Sequence, residues 1–375
     1  MARVESARVV KQRIVVKLGS NVVLNRGGQF RTRQLDSLAR DLAALHRAGH
    51  DVILVTSGGI ARGARARGLT RPKRKEDLQA AGALGQASVY QTFEQLFARR
   101  RIRTAQVLFT FAEITELHHF RNVQRALARL VAWRAIPVIN ENDTTTMDDI
   151  TFENNDYLAA QVANMLRASR LVLLTNVDGV FTSNPSIDPG AELIPEIIDV
   201  KRALRDYRIQ KVAATLGTGG MYSKVVAAEM AVAGGTHVTI ANGLDAAATA
   251  AAVRGEAVGT VFPPRTDLHA NVSPRRDWIR SRQSKGALYV DDGAARALLR
   301  RGASLLPVGV TRVVGGFERD AIVDVMHGEE PLGKGIVSYA ATELESALGL
   351  KTAAVRKLVA DAPPEAIHRD NFVRA

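Results

Sequence analysis

The sequence predicts an α/β protein with a doubly covered, mostly parallel β-sheet, followed by a small β-barrel-like domain. Two patterns support this fold class. Short apolar runs alternate with longer stretches of helical periodicity up to residue 261, and short, glycine-punctuated runs follow from residue 286. A chain of 375 residues, 46% of them hydrophobic, is also long enough for two domains with separate cores.

The first domain is predicted from the order of its elements. Strands that are apolar throughout need cover on both faces, which helices between parallel strands provide. The predicted strands are Ile14–Leu18, Val52–Thr56, Ala105–Phe109, Ile136–Ile139, Leu171–Leu174 and His237–Ile240. The predicted helices are Thr32–Ala48, Arg74–Arg100, Arg121–Arg134, Asp156–Ala168 and Met221–Ala233.

A second domain is indicated because the pattern changes after Val261, where Phe262-Pro-Pro264 opens an arginine-rich stretch. We predict a first domain over residues 1–262, a linker over 263–284, a second domain over 285–362 and a tail over 363–375. The second domain has two predicted helices, one around Ala294–Arg301 and a closing helix over Ala340–Leu348. Its strand candidates are Gly286–Val290, Ser304–Pro307, Gly309–Val314, Ala321–Met326 and Gly333–Tyr339.

Composition narrows the possible chemistry. The chain has no cysteine, which excludes disulfides, thiol catalysis and thiolate metal sites, and its eight histidines are scattered, so no metal site is predicted. No apolar run reaches the ~20 residues of a membrane span, and residues 1–12 lack a signal-peptide core, so we expect a cytoplasmic protein without membrane contact. The net charge of +13 predicts attraction to acidic substrates or polyanions.

Two lysines beside glycine-containing turns predict a phosphate site. The segment Gly217-Thr-Gly-Gly-Met-Tyr-Ser-Lys224 joins a glycine-rich turn to the start of a helix, where backbone N–H groups bind anions. The spacing is not that of a P-loop, so a tight turn with a surface lysine is the alternative. Lys17 ends the first strand and precedes Gly19. Paired lysines favour phosphoryl transfer, which needs charge neutralisation and positioning.

Polar residues at other strand ends predict an acceptor site, because ligands of parallel sheets lie beyond the carboxyl ends of the strands. Ser57 offers a hydroxyl, although it could equally cap the following helix. The cluster Asn140-Glu-Asn-Asp143 combines an acid that can pair with an ammonium and amides that can hold a carboxylate. It indicates an amino-acid-like ligand. Asp156 either caps its helix or orients the two lysines.

Taken together, these segments resemble the amino-acid kinase family. The match runs in order from about Arg13 to Val261 and rests on Val16-Lys-Leu-Gly19, Val55-Thr-Ser-Gly-Gly-Ile60, Pro137-Val-Ile-Asn-Glu-Asn-Asp143, Leu174-Thr-Asn-Val-Asp-Gly179 and Gly217–Lys224. The second domain resembles the PUA module of RNA-modifying enzymes, most clearly at Gly302-Ala-Ser-Leu-Leu-Pro307.

The resemblance implies ATP-dependent phosphorylation of the L-glutamate side-chain carboxylate, the first step of proline synthesis. Lys17 and Lys224 would stabilise the transferring phosphoryl group, and Asp156 would organise them. Glutamate would be held by Ser57, Asp143 and Asn155. ATP, with Mg²⁺ on its phosphates, would contact Lys17, Thr175, Asn176, Thr218, Gly219, Gly220, Met221, Tyr222, Ser223 and Lys224. Feedback inhibition by proline, a homo-oligomer and RNA binding by the PUA domain are also implied.

Two positions depart from the family pattern. Asn154 replaces an acidic residue near the substrate, and Asn176 replaces an aspartate beside the nucleotide. One argument for a carboxylate acceptor is independent of the family: a glutamate side chain has an ordinary pKa near 4.3, so it is ionised at pH 7 and needs no general base. The alternatives are another amino-acid kinase, acting on N-acetylglutamate or aspartate, and an RNA-binding regulator with an inactive kinase half.

Overall fold

The chain forms two compact units, Met1–Ala270 and Asn271–Ala375, in the computed structural model. The structure describes residues 10–69, 74–110, 113–115, 117–145, 154–207, 209, 220–265, 279–280, 283–350, 354–355, 358–359 and 363–375. Most of the predicted linker, residues 263–284, lies outside these ranges, so the linker stays a prediction.

The first unit alternates strands and helices, as the sequence predicts. Its strands are β1 (Arg13–Leu18), β2 (Asp51–Val55), β3 (Thr104–Phe109), β4 (Ile136–Glu141), β5 (Arg170–Thr175), β6 (His237–Asn242) and β7 (Thr260–Phe262). Its helices are α1 (Ser20–Val23), α2 (Thr32–Arg47), α3 (Gly59–Ala66), α4 (Lys75–Ala98), α5 (Leu117–Ala132), α6 (Asn154–Leu166), α7 (Val200–Asp206), α8 (Met221–Ala233) and α9 (Ala246–Arg254).

These strands form one seven-stranded sheet in the order β3-β4-β2-β1-β5-β6-β7. Every neighbouring pair is parallel except β6 with β7, so the predicted mostly parallel sheet is confirmed. The central strands are buried along almost their whole length, because helices cover both faces. In the register of β1, Val15 lies opposite Ile53 of β2 on one side and Leu171 of β5 on the other.

The strand order reverses direction at β1, which places the ligand site. The chain runs from β1 to β2 on one side, whereas β5 and β6 extend the sheet on the other side. In open α/β sheets, ligands bind beyond the carboxyl ends of the strands at such a point. Here the Gly19 backbone N–H donates to the Leu174 carbonyl oxygen at 3.0 Å, which holds the turn after β1 against the end of β5.

The second unit contains a five-stranded mixed sheet in the order β12-β11-β10-β8-β9. Its strands are β8 (Ala287–Val290), β9 (Val310–Val314), β10 (Ile322–His327), β11 (Glu330–Ile336) and β12 (Phe372–Arg374). A helix at Asp292–Arg296 continues into one π-helical turn at Ala297–Arg301, and a further helix spans Ala341–Ser346. A separate apolar core, which includes Leu288, Val325 and Tyr339, supports this sheet.

Two expectations for the second unit need correction. Residues 363–375 are not a tail, because β12 pairs antiparallel with β11 and the side chain of Ile367 is completely buried. The apolar residues Phe372 and Val373 therefore complete the sheet edge and its core. In addition, Ser304–Pro307 is not a full strand: Leu305 forms only an isolated bridge with Ile367.

Candidate functional site

Three charged side chains meet beyond the carboxyl end of β1. Lys17 Nζ lies 2.6 Å from Asp156 Oδ1, and Lys224 Nζ lies 3.2 Å from Asp156 Oδ2. The three residues are 1–3% exposed, so this is a buried cluster and not a solvated surface. The surface-lysine alternative for Lys224 is therefore wrong. Each lysine comes from a different element, β1 or α8, and both converge on the first turn of α6.

The electrostatics of this trio favour an incoming anion. Burial lowers the pKa of Lys17; the attraction of Asp156 opposes this shift, and the repulsion from Lys224 adds to it. Burial disfavours the charged form of Asp156, but the two adjacent ammonium groups outweigh it and lower the pKa of Asp156 to about 2. Asp156 is thus a permanent carboxylate. With both lysines protonated, the trio carries one net positive charge that a phosphoryl group can compensate.

The local sequence explains how α8 presents Lys224. Gly220 precedes α8 as its N-cap in an extended conformation, with no side chain capping the helix. Ser223 Oγ lies 3.1 Å from Asp156 Oδ2 and 2.9 Å from the Gly220 carbonyl oxygen. Ser223 is completely buried, so it packs behind Asp156 and steadies the carboxylate. The pairing also shows that the Asp156 carboxylate orients the lysines, as one of the two alternatives predicts.

A chain of buried amides supports the predicted substrate residues. Asn155 Nδ2 lies 3.1 Å from Ser57 Oγ and 2.9 Å from Asn140 Oδ1, and Asn140 Nδ2 donates to Gln86 Oε1 at 2.6 Å. These contacts fix Ser57 and Asn155 relative to one another. Ser57 does not cap α3, whose N-cap is Gly58 without a side-chain hydrogen bond. The sequence singled out Ser57, Asn140 and Asn155 but missed Gln86, which lies inside a helix with no motif around it.

Asp143 lies beside this amide chain and packs against helices α3 and α4. A side chain at Gly82 would collide with Asp143 Cβ, which would be 2.5 Å away, and one at Gly59 would come within 3.4 Å of Asp143 Oδ2. The glycines of α3 and α4 therefore make room for this carboxylate. Burial raises the pKa of Asp143 to about 7. A ligand ammonium would restore the ionised form, because an opposite charge favours it.

A cavity of about 590 Å³ opens between the end of β5 and the start of α8. Five predicted nucleotide residues line it: Thr175, Asn176, Gly220, Met221 and Lys224. Lys17, Tyr222 and Ser223 are not among its lining residues. The cavity also contains side chains that sequence reasoning missed, because they belong to no recognised motif. Phe181, Thr182, Ser183 and Asn184 lie in an irregular segment after the Leu174–Gly179 motif, and Asp206, Tyr207 and Ile209 lie at or just after the end of α7.

Some predicted site residues cannot be placed. Thr218 and Gly219 lie outside the described residues, as does the side chain of Asn154. In the described part of the chain, no group of three or more His, Asp or Glu side chains is arranged to hold a metal ion.

Comparisons with known proteins agree with this geometry. The amino acid kinase family model matches residues 12–242, and the PUA domain model matches residues 286–359. A glutamate 5-kinase of Chromohalobacter salexigens is 40% identical over 366 residues, covering 96% of both chains. A glutamate 5-kinase of Azoarcus sp. is 40% identical over 372 residues, covering 96% of this chain and 97% of the relative. The chain belongs to the glutamate 5-kinase branch of the amino acid kinase family.

The extents of the two domain matches agree with the two units of the fold. The kinase match ends at residue 242, inside the first unit, and the PUA match lies wholly within the second unit. This confirms the predicted fold class, an amino acid kinase fold followed by a PUA domain. Among the helices whose residues are described, none is both long and apolar enough to cross a membrane.

Proposed function

We propose that the chain transfers the γ-phosphoryl group of ATP to the side-chain carboxylate of L-glutamate, giving L-glutamyl 5-phosphate and ADP. This reaction is the first step of proline biosynthesis. The observation that supports it most strongly is the single buried carboxylate of Asp156, which holds Lys17 and Lys224 side by side. Two ammonium groups at fixed positions suit a transition state in which charge spreads over the phosphoryl oxygens.

The chemistry needs positioning more than proton transfer. A carboxylate oxygen of glutamate attacks the γ-phosphorus, the bond from that phosphorus to the bridging oxygen of ADP breaks, and that oxygen leaves with the electron pair. No proton moves, because glutamate is already ionised at pH 7. Lys17 and Lys224 compensate the negative charge on the transferred group, while Asp156 keeps the two ammonium groups from repelling each other apart.

Glutamate is proposed to lie between Asp143 and the amide chain. The α-ammonium of glutamate pairs with the Asp143 carboxylate. Without that partner, burial disfavours the ionised carboxylate and raises the pKa of Asp143. The Ser57 hydroxyl donates to a glutamate oxygen, and Asn155 contacts glutamate through its Oδ1 atom. The Oδ1 atom of Asn155 is buried without a hydrogen-bond partner among the described residues, so it can accept a bond from the ammonium. An N-acetylated substrate lacks this cation, which argues against an N-acetylglutamate kinase.

ATP is proposed to occupy the cavity between β5 and α8, with its phosphates towards Lys224. Tyr207 and Phe181 supply aromatic surface for the adenine ring, and Thr175 and Asn176 supply polar contacts. The neutral amide of Asn176 makes that contact a neutral hydrogen bond. We propose that Mg²⁺ arrives on the ATP phosphates, since both oxygens of Asp156 already contact lysines. When bound, Mg²⁺ would neutralise charge on the β- and γ-phosphates.

Hydroxylamine trapping tests the reaction directly. The full-length chain is incubated with ATP, Mg²⁺, hydroxylamine and one candidate amino acid, and the hydroxamate formed from the acyl phosphate is measured. We expect product with L-glutamate, and much less with L-aspartate or N-acetyl-L-glutamate. No glutamate-dependent hydroxamate would refute the proposal and favour a regulator with an inactive kinase half. A preference for L-aspartate or N-acetyl-L-glutamate would assign a different kinase.

The remaining interactions are proposals that rest on the family. RNA binding by the second unit follows from its PUA match and the basic chain. Filter binding at low salt, where phosphate contacts are strongest, tests whether the full-length chain binds RNA. Three further properties stay predictions: a homo-oligomer, a cytoplasmic location and inhibition by proline. Proline shares the ammonium and the α-carboxylate of glutamate.

A further inference from the structure

A basic cleft lies at the amino ends of the parallel strands, away from the lysine–aspartate trio. It encloses about 720 Å³ between the segments that precede β2, β3 and β4. Six arginines line it, together with His46, Ile102 and Trp133, and no Asp or Glu is among its lining residues. The cleft is not used by the proposed reaction, because the strands separate it from the kinase site. A six-residue strand spans roughly 20 Å.

Three of the six arginines build the walls of the cleft. Arg100 donates to Asp36 Oδ1 and to the Leu96 carbonyl oxygen, both at 2.8 Å. Arg47 donates to the Arg100 carbonyl oxygen at 3.1 Å. Arg134 donates to the His50 carbonyl oxygen at 3.1 Å. These guanidinium groups tie helix ends together, so structural roles account for their presence.

The other three arginines have no such role. Arg99, Arg101 and Arg103 are exposed, and within the described part of the chain their guanidinium groups make no hydrogen bond or ion pair. Trp133 lies in the same cleft with 67% of its surface exposed. The cleft therefore combines a flat, apolar indole ring with three guanidinium groups that have no counter-charge among the described residues. Guanidinium groups bind phosphate through two parallel hydrogen bonds.

The backbone supports a role for this charge. Arg101 has φ of 58°, in the left-handed region where glycine is the least strained residue. A residue with a β-carbon at this position, directly after the end of α4, costs stability. Arg101 therefore supplies its charge at a position where glycine would suit the fold better.

We propose that this cleft binds single-stranded nucleic acid, with backbone phosphates on Arg99, Arg101 and Arg103 and one base stacked on Trp133. Guanidinium groups match phosphate geometry, and stacking on an aromatic side chain is the usual way in which unpaired bases are held. A phosphate-only polyanion would leave Trp133 unused. This site is separate from the PUA domain and does not depend on the kinase reaction.

Fluorescence of Trp133 tests the proposal in the full-length chain. The chain has two tryptophans, so Trp278→Phe leaves Trp133 as the single reporter. A twelve-nucleotide uridine oligomer is titrated at several salt concentrations, with UTP and inorganic polyphosphate in parallel. The cleft variant is Arg99→Gln/Arg101→Gly/Arg103→Gln. The charge-matched control is Arg33→Gln/Arg121→Gln/Arg125→Gln, which removes three exposed arginines outside the cleft.

We expect the oligomer to quench Trp133 and the cleft variant to reduce the slope of log K against log salt by about 2, since each lost phosphate contact removes about 0.7. Trp133→Ala removes the fluorescent reporter, so its affinity is measured by filter binding, and we expect binding roughly 5- to 150-fold weaker. The single change Arg101→Gly should weaken binding without lowering the thermal midpoint. Hydroxamate formation should stay unchanged in the cleft variant, which separates this test from that of the kinase site.

Several outcomes would overturn the proposal. One is that the oligomer leaves Trp133 fluorescence unchanged, and another is that the cleft and control variants lose affinity equally. Binding of polyphosphate or UTP as tightly as the oligomer would also refute it, as would a change of oligomeric state in the cleft variant. The last outcome would identify the cleft as a contact between copies of the chain.

Discussion

Lys17 and Asp156 form a buried ion pair, with 2.6 Å between Nζ and Oδ1, at the carboxyl end of the central strand of the seven-stranded sheet. The other carboxylate oxygen holds Lys224. One acidic side chain thus balances two ammonium groups inside the protein.

Replacing Asp156 by asparagine should destabilise the first unit by about 3–5 kcal/mol, because two ammonium groups would then lie buried without a counter-charge. Urea unfolding, followed by Trp133 fluorescence in a Trp278→Phe background, measures the free energy. Adding Lys224→Met to Asp156→Asn should recover part of the loss. Glu94→Gln, an exposed change, is the control and should stay within about 0.5 kcal/mol. A purely additive double variant would contradict the shared role of Asp156.

Lys224→Ala should lower kcat by roughly 10²–10³, the usual effect of losing a preorganised electrostatic contact to the transition state. The KM for glutamate should change little, since Lys224 lines the cavity proposed for ATP. Coupled ADP-release kinetics measure both constants. Lys201→Ala, an exposed lysine on α7, is the matched control. Unchanged turnover would remove Lys224 from the mechanism.

The affinity for glutamate should depend on pH through Asp143, whose pKa burial raises to about 7. As pH falls below 7, Asp143 becomes neutral in the free enzyme and loses its attraction for the ammonium. We expect kcat/KM for glutamate to fall by up to about tenfold per pH unit there. Asp143→Asn should lower this constant at pH 8 and flatten the profile near 7. An unchanged profile in that variant would assign the titration to another group.

The same shift has a consequence for stability. The pKa of Asp143 in the folded chain lies above its ordinary value, so ionised Asp143 disfavours the empty folded site. The free energy of unfolding should therefore rise as pH falls from about 7 towards 4, because the folded chain binds a proton at Asp143 before the unfolded chain does.

Gln86→Met should raise the KM for glutamate without raising that for ATP. The change keeps the length of the side chain but removes the acceptor for Asn140 Nδ2, and an unsatisfied buried donor costs about 1–3 kcal/mol. If the whole cost falls on substrate binding, the KM for glutamate rises by roughly 5- to 150-fold. Gln91→Met, exposed on the same helix, is the control. Equal increases in both KM values would indicate general loosening of the fold.

The sequence alone predicted strands β1 to β6 of the first unit, five of its helices and the strand ends at which the site lies, but it did not predict β7, α7 or α9. Short apolar runs such as Val52–Val55 and Leu171–Leu174, alternating with helical stretches, favour strands with cover on both faces, and these strands are present. The family resemblance came from five motifs in order along the chain, above all Asn140–Asp143 together with Gly217–Met221. Local spacing can be read from sequence, since it does not depend on the rest of the fold.

Only the tertiary structure decided which residues meet. By sequence, Asp156 suited capping a helix at least as well as orienting the lysines, and the packing of α6 beside β1 and α8 turned its carboxylate towards two lysines. Gln86 and the aromatic lining of the nucleotide cavity had no motif, since long-range contacts create their roles. The strand at Phe372–Arg374 read as a tail because three residues acquire strand character only by pairing with β11. Local sequence determines elements, whereas burial and charge partners depend on contacts between segments far apart in the chain.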